Sequence, residues 1–101
     1  WLNWFTMKVV IHGNSMSPAL KNGDEVTFDS YKEQSIKIGD ILVVNHPYSA
    51  DKKIVKRVSK IKGDSLYFLE GDNSYESSDS KTFGYISTES IIGIKSNEKS
   101  V

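Results

Sequence analysis

The sequence predicts a mainly-β, compact antiparallel barrel-like domain with one short helical turn. Three observations carry that expectation. The chain holds six or seven short β-branched or alternating runs, Gly, Pro, Asn or Asp signals separate them, and no stretch shows the 3.6-residue period of a long helix. At 101 residues there is room for one hydrophobic core, so a single domain is expected over 1–101.

The elements follow in order. Segment 1–6 is rich in aromatics, and Trp1, Trp4 and Phe5 either cover an edge of the core or form an interfacial anchor beside a membrane segment upstream of Trp1. "TMKVVIH" reads as a strand ending at Gly13. In "SMSPAL", Ser17 is the expected N-cap, Pro18 the first helical residue and Asn22-Gly23 the stop, which leaves about one helical turn. "EVTFD" alternates as a strand, "SIKIGD" is a turn-bounded connector, and "ILVVNHP" is a near-continuous apolar run, the mark of a buried strand that Pro47 ends. "KKIVKRVSKI" alternates, Lys62-Gly63-Asp64 turns, and "SLYFLEGD" returns as the hairpin partner. The polar loop "NSYESSDSKT" precedes "FGYISTESIIGIK", and 96–101 is expected to fray.

Composition narrows the function classes. Lys plus Arg and Asp plus Glu number 13 each, so the global basic excess of a nucleic-acid binder is absent. There is no cysteine, which removes thiol catalysis, disulfides and thiolate metal sites. No run reaches the roughly 18 apolar residues of a membrane span. No His and carboxylate grouping has metal-ligand spacing, and no cofactor is expected.

Lys56 stands out. On a strand, the period of two puts Ile54, Lys56 and Val58 on one face and Val55, Arg57 and Ser59 on the other. A lysine among β-branched hydrophobes is penalised for its charge. To serve as a base near neutrality its pKa must fall from about 10.4 to about 7–8, roughly 4 kcal/mol, which an apolar pocket can supply. The competing reading places Lys56 in a solvated basic strip with Lys52, Lys53, Arg57, Lys60 and Lys62, without interleaved aromatics to support a nucleic-acid patch. Ser15, at the corner "GNSMSP", is likewise either an ordinary turn hydroxyl or a presented nucleophile.

The ordered stretches "GNSMSPALKNGD", "GDILVVNHP", "IVKRVSKIKGD" and "GDNSYESSDSKTFG" together resemble the boxes of the type I signal peptidase superfamily, serine peptidases with a Ser/Lys dyad. The resemblance spans residues 9 to 94 and implies the compact signal-peptidase/LexA-type catalytic core. In length and detail it is most similar to the proteases that mature nickel-type superoxide dismutase. It implies Ser15 as nucleophile and Lys56 as general base. It also implies Ser77 as a hydroxyl partner of the lysine, and Asp79 and Lys81 as a bracing pair that Arg57 joins. Asp72 and Asn73 match the last box and are assigned loop shaping. Some signal peptidases carry an oxyanion-binding serine where this chain has Gly13, so the backbone N–H of Ser15 is the expected oxyanion donor. Met16 is either the floor of a substrate pocket or an ordinary core residue, and His12 and His46 are read as structural or surface residues.

The implied activity is removal of an N-terminal leader from a protein substrate, a nickel superoxide dismutase precursor foremost. The rivals are the catalytic part of a membrane-tethered signal peptidase, a self-cleaving repressor-type regulator, and a non-catalytic peptide-binding β-domain. No Ala-Gly or Cys-Gly site of the self-cleaving type occurs. A cytoplasmic location goes with the maturation reading, and a membrane-anchored one with an extracytoplasmic catalytic domain goes with the signal peptidase reading.

Overall fold

A computed structural model describes residues 6–73 and 83–95. Among the described residues seven strands form one antiparallel sheet: β1 (Thr6–Val10), β2 (Glu25–Ser30), β3 (Ile41–His46), β4 (Ser49–Lys62), β5 (Leu66–Glu70), β6 (Ile86–Ser87) and β7 (Ile91–Lys95). Their order across the sheet is β1-β2-β7-β3-β4-β5-β6. The mainly-β antiparallel expectation holds. β1 and β4 are separated by β2, β7 and β3 in that order, yet side chains of both line one cleft, so the sheet coils in the barrel-like sense.

β3 explains how the core is arranged. Its residues Ile41, Leu42, Val43 and Val44 are all buried, because both faces of the strand are covered. Leu42 and Val44 enter a cluster with Val58, Tyr67, Leu69 and Ile94, whereas Ile41 and Val43 enter a second one with Ile11, Met16, Leu20 and Phe28. The uninterrupted apolar run is therefore a physical consequence of a two-sided strand. β4 runs for 14 residues, longer than the alternating stretch that predicted it. Ile54 packs on the first cluster and Val55 on the second, as the period of two requires.

Two turns share one construction. In Lys21-Asn22-Gly23-Asp24 and Lys37-Ile38-Gly39-Asp40 the lysine N–H donates to the aspartate Oδ2 at 2.8 Å, and the aspartate N–H donates back to the lysine carbonyl. Gly23 and Gly39 sit at φ of 92° and 100°, in the left-handed region that favours glycine.

The helical turn expected over "SMSPAL" is corrected. The Ser17–Pro18 peptide is cis, and residues 15–19 form a turn in place of a helix. Ser17 donates its backbone N–H to the Asn14 carbonyl at 3.1 Å, and a single i to i+4 bond, Leu20 N–H to Met16 O at 2.9 Å, survives of the helical pattern. A 3₁₀ turn lies instead at Thr88–Ser90. Trp1, Trp4 and Phe5, and the tail 96–101, lie outside the described residues.

Gly93 has a steric reason to be glycine. It pairs with Ser30 of β2 and Val43 of β3, and a Cβ there would stand 2.8 Å from the Asp29 carbonyl oxygen and 3.3 Å from both Phe28 Cβ and Val43 Cγ1. Gly93→Ala is expected to destabilise the fold by about 1–3 kcal/mol, since backbone must move to admit the methyl. A urea midpoint equal to that of the parent refutes this.

Candidate active site

The loop that carries Ser15 is fixed from several sides. Beyond β1, Ile11 N–H bonds the Asp24 carbonyl and Gly23 N–H bonds the Ile11 carbonyl, both at 2.8 Å, which closes the base of the loop. Gly13, at φ 85°, turns the chain and donates its N–H to Asn22 Oδ1 at 2.7 Å. Asn73 holds the other side: its backbone N–H donates to the Ser15 carbonyl at 2.8 Å and its Nδ2 to the Asn14 carbonyl at 3.1 Å. Beneath the loop Met16 is buried in the second cluster, against the neighbours Ile11 and Leu20. Its side chain therefore anchors the corner from below, and it also lines the cleft.

Lys56 lies on β4, opposite Leu42 of β3. It is 4% exposed and is the only polar or charged residue of the buried class among the described residues. The solvated-strip reading fails for this residue. Burial of this degree disfavours an ammonium relative to a neutral amine. The strip survives for Lys52, Lys53, Lys60 and Lys62, which are exposed. Aromatics do accompany part of it, contrary to expectation: Lys60 Nζ sits 5.0 Å from the Phe68 ring centre and Lys62 Nζ 5.8 Å from that of Tyr85. Phe68 lies on the neighbouring β5 and Tyr85 just before β6, so the one-strand sequence pattern could not display them.

Ser15 and Lys56 line one cleft of about 390 Å³. Met7 and Val9 of β1, Ile54 and Val55 of β4, and Ile92 of β7 give it apolar walls. Such a groove, apolar and lined by a hydroxyl and a buried amine, fits an extended peptide better than a polar metabolite.

Arg57 has a partner that the sequence reading did not assign. Its Nε and Nη2 fork onto Asp72 Oδ1 and Oδ2 at 2.8 and 2.9 Å, and its Nη1 donates to the Gly39 carbonyl at 2.9 Å. The hydrogen bond that Arg57 donates to Asp72 pushes its pKa up, against the opposing effect of burial. Asp72 and Asn73 are adjacent, so one dipeptide grips β4 next to Lys56 with its first residue and the Ser15 loop with its second. Loop shaping understates that role. Asn22, read only as part of a turn, was also missed as the acceptor for Gly13. Ser77, Asp79 and Lys81 lie outside the described residues, and so does any join between Arg57 and Asp79.

The histidines are accounted for by packing and position. His46 Nδ1 accepts from the Tyr48 N–H at 3.1 Å and its ring meets Phe83 edge-on at 5.3 Å. His12 is exposed and lines the cleft beside Gly13. Among the described residues no group of three His, Cys, Asp or Glu side chains is placed to hold a metal ion.

A family model described as signal peptidase, peptidase S26, matches residues 2–66. Similar curated proteins include the mitochondrial ATP-independent inner membrane protease subunit 1a of Arabidopsis thaliana, 30% identical over 98 residues, covering 73% of this chain and 58% of the relative. The mitochondrial inner membrane protease subunit 1 of Xenopus tropicalis is 31% identical over 97 residues, covering 75% and 58%. The human subunit 1 is 29% identical over 99 residues, covering 77% and 60%. The chain thus spans somewhat over half the length of these relatives.

Proposed function

The chain belongs to the signal peptidase family, peptidase S26, and on that premise we propose that it is the catalytic unit of a serine endopeptidase that removes N-terminal leaders with a Ser15/Lys56 dyad. The observation that carries this reading is the buried Lys56 lining the same cleft as Ser15.

The chemistry runs in two halves. Neutral Lys56 takes the proton of Ser15 as Oγ attacks the scissile carbonyl, and the resulting ammonium protonates the leaving amine. The acyl group is then held as an ester on Ser15. Lys56 next removes a proton from water, whose oxygen attacks that ester and releases the acid, and the proton returns to Ser15. The developing oxyanion needs a donor, and Gly13 N–H is already committed to Asn22 Oδ1. The backbone N–H of Ser15 takes that role, where one such donor is worth about 2.7–4 kcal/mol in the transition state. Ser77 supplies a hydroxyl to the amine, and Asp79 and Lys81 brace the site with Arg57, on the resemblance of the last box. Met16 sets the floor of the cleft near the reacting bond.

The finer reading is maturation of nickel-type superoxide dismutase. It is supported by the short step from β4 to β5, a turn over 63–65 at the place where conventional signal peptidases insert a further domain. A second reading, the catalytic part of a membrane-tethered peptidase, is favoured by relatives whose names are inner membrane proteases. Among the described residues no helix is long and apolar enough to cross a membrane.

Mass spectrometry separates these. The protein is incubated with a nickel superoxide dismutase precursor and, separately, with leader peptides of membrane-exported proteins. A new N-terminus, absent with Ser15→Ala, is the expected product. Cleavage of the leader peptides alone rejects the dismutase substrate and keeps the peptidase, and intact substrates throughout overturn both.

A further inference from the structure

We propose that the far end of the cleft selects leaders carrying an acidic side chain three to four residues from the scissile bond, read by Lys52 and Lys53. This rests on the peptidase reading and names the substrate feature that the same cleft prefers.

Among the described residues the charge of the cleft is one-sided. Those of its lining side chains that ionise are His12, Lys52, Lys53 and Lys56, with no Asp or Glu, although the whole chain has equal numbers of acidic and basic residues. Lys56 is buried at the reacting end, whereas Lys52 and Lys53 are exposed on the same strand. Arg57 is matched by Asp72 and Lys8 by Glu25. Among the described residues neither Lys52 nor Lys53 forms an ion pair. An uncompensated pair of ammonium groups at the rim of an apolar groove favours a carboxylate on whatever fills the groove and repels a lysine or arginine there.

The spacing gives the position. Along β4 each residue advances about 3.3 Å, so Lys53 and Lys52 stand about 10 and 13 Å from Lys56. A peptide stretched beside the strand advances by the same step, which places its third or fourth residue from the attacked carbonyl at these lysines. Ile54 and Val55, which line the cleft along with Met7 and Val9, leave the intervening residues to be chosen by size.

The test uses one apolar leader peptide with Asp, Ala or Lys placed in turn at each position from five before to five after the cut. Cleavage is followed as kcat/KM, and binding of the same peptides to the Ser15→Ala protein is measured in parallel by fluorescence anisotropy. The expected order is Asp over Ala over Lys, with about 3- to 10-fold between Asp and Ala, confined to positions three and four on one side. It shrinks as salt rises to about 0.5 M. In the K52E/K53E double variant the order of Asp and Lys peptides inverts. Cleavage with no charge preference, a preference at other positions, or an order untouched by the charge reversal overturns the inference and leaves the peptidase reading standing. Absence of all cleavage with the Asp preference kept in binding overturns the peptidase reading and supports the selectivity of the cleft. Absence of both overturns both.

Discussion

Ser15→Ala and Lys56→Met are each expected to lower kcat/KM for leader cleavage by about 10⁴-fold or more, and the double variant is expected to fall no further. The reason is that nucleophile and base act as one unit: an unactivated hydroxyl attacks poorly, and an amine with no hydroxyl to deprotonate has nothing to do. Two residues contributing independently would instead add their losses. Lys56→Met keeps a long, flexible, mostly apolar side chain opposite Leu42, so it tests the amine with the least disturbance of the β3–β4 ladder. Lys56→Arg is expected to fail as fully, because a guanidinium stays charged at any working pH and cannot accept the proton. On the proposed dyad the rate of the parent is expected to rise with pH, because the amine must be neutral to accept the proton. Steady-state kinetics with far-ultraviolet dichroism as the folding control decide the matter. Single variants that retain cleavage within about 10-fold of the parent would sink the dyad.

The parts of this picture that a sequence can display are those that local pattern encodes. β3 announced itself because covering both faces of a strand leaves no polar alternation, and the faces of β4 followed from the period of two. Lys56 was visible as an oddity on that period, but its burial was not, since the same pattern suits a solvated strip. What was illegible is contact between distant segments. The Arg57–Asp72 fork spans 15 positions and the Asn14–Asn73 bond spans 59, and no spacing rule joins residues so far apart. The Ser17 cap failed for a related reason. Its composition, serine followed by proline, suits a helix start, yet the loop is closed by Asn22 and Asn73 from outside the segment, and these bonds favour a turn over a helix. The aromatic neighbours of Lys60 and Lys62 were missed because they stand across the sheet.

Those distant contacts yield the second large effect. Asp72 and Asn73 bridge the strand of Lys56 and the loop of Ser15, so on the proposed dyad they set how base and nucleophile meet. Asn73→Ala removes the Nδ2 bond to the Asn14 carbonyl and keeps the backbone donor to Ser15. Asn73→Pro removes both, because proline has no N–H. Cleavage depends on placement within fractions of an ångström, and a shift of about 1 Å can cost about 10²-fold. The expected series is therefore a loss in kcat of about 10-fold for Asn73→Ala and about 10²-fold for Asn73→Pro, with KM changed by less than about 3-fold because the apolar walls remain. Asp72→Ala frees the Arg57 fork and leaves that guanidinium only the Gly39 carbonyl of its three described bonds. It is expected to lower kcat as Asn73→Ala does, and the pair combined to fall short of the product of the two, since both loosen one bridge. Asp72→Glu, which keeps the charge but lengthens the arm, is expected to recover part of the rate. A drop in melting temperature with kcat intact would show that the dipeptide only holds the fold together, because a purely structural contact moves stability and leaves the chemical step alone.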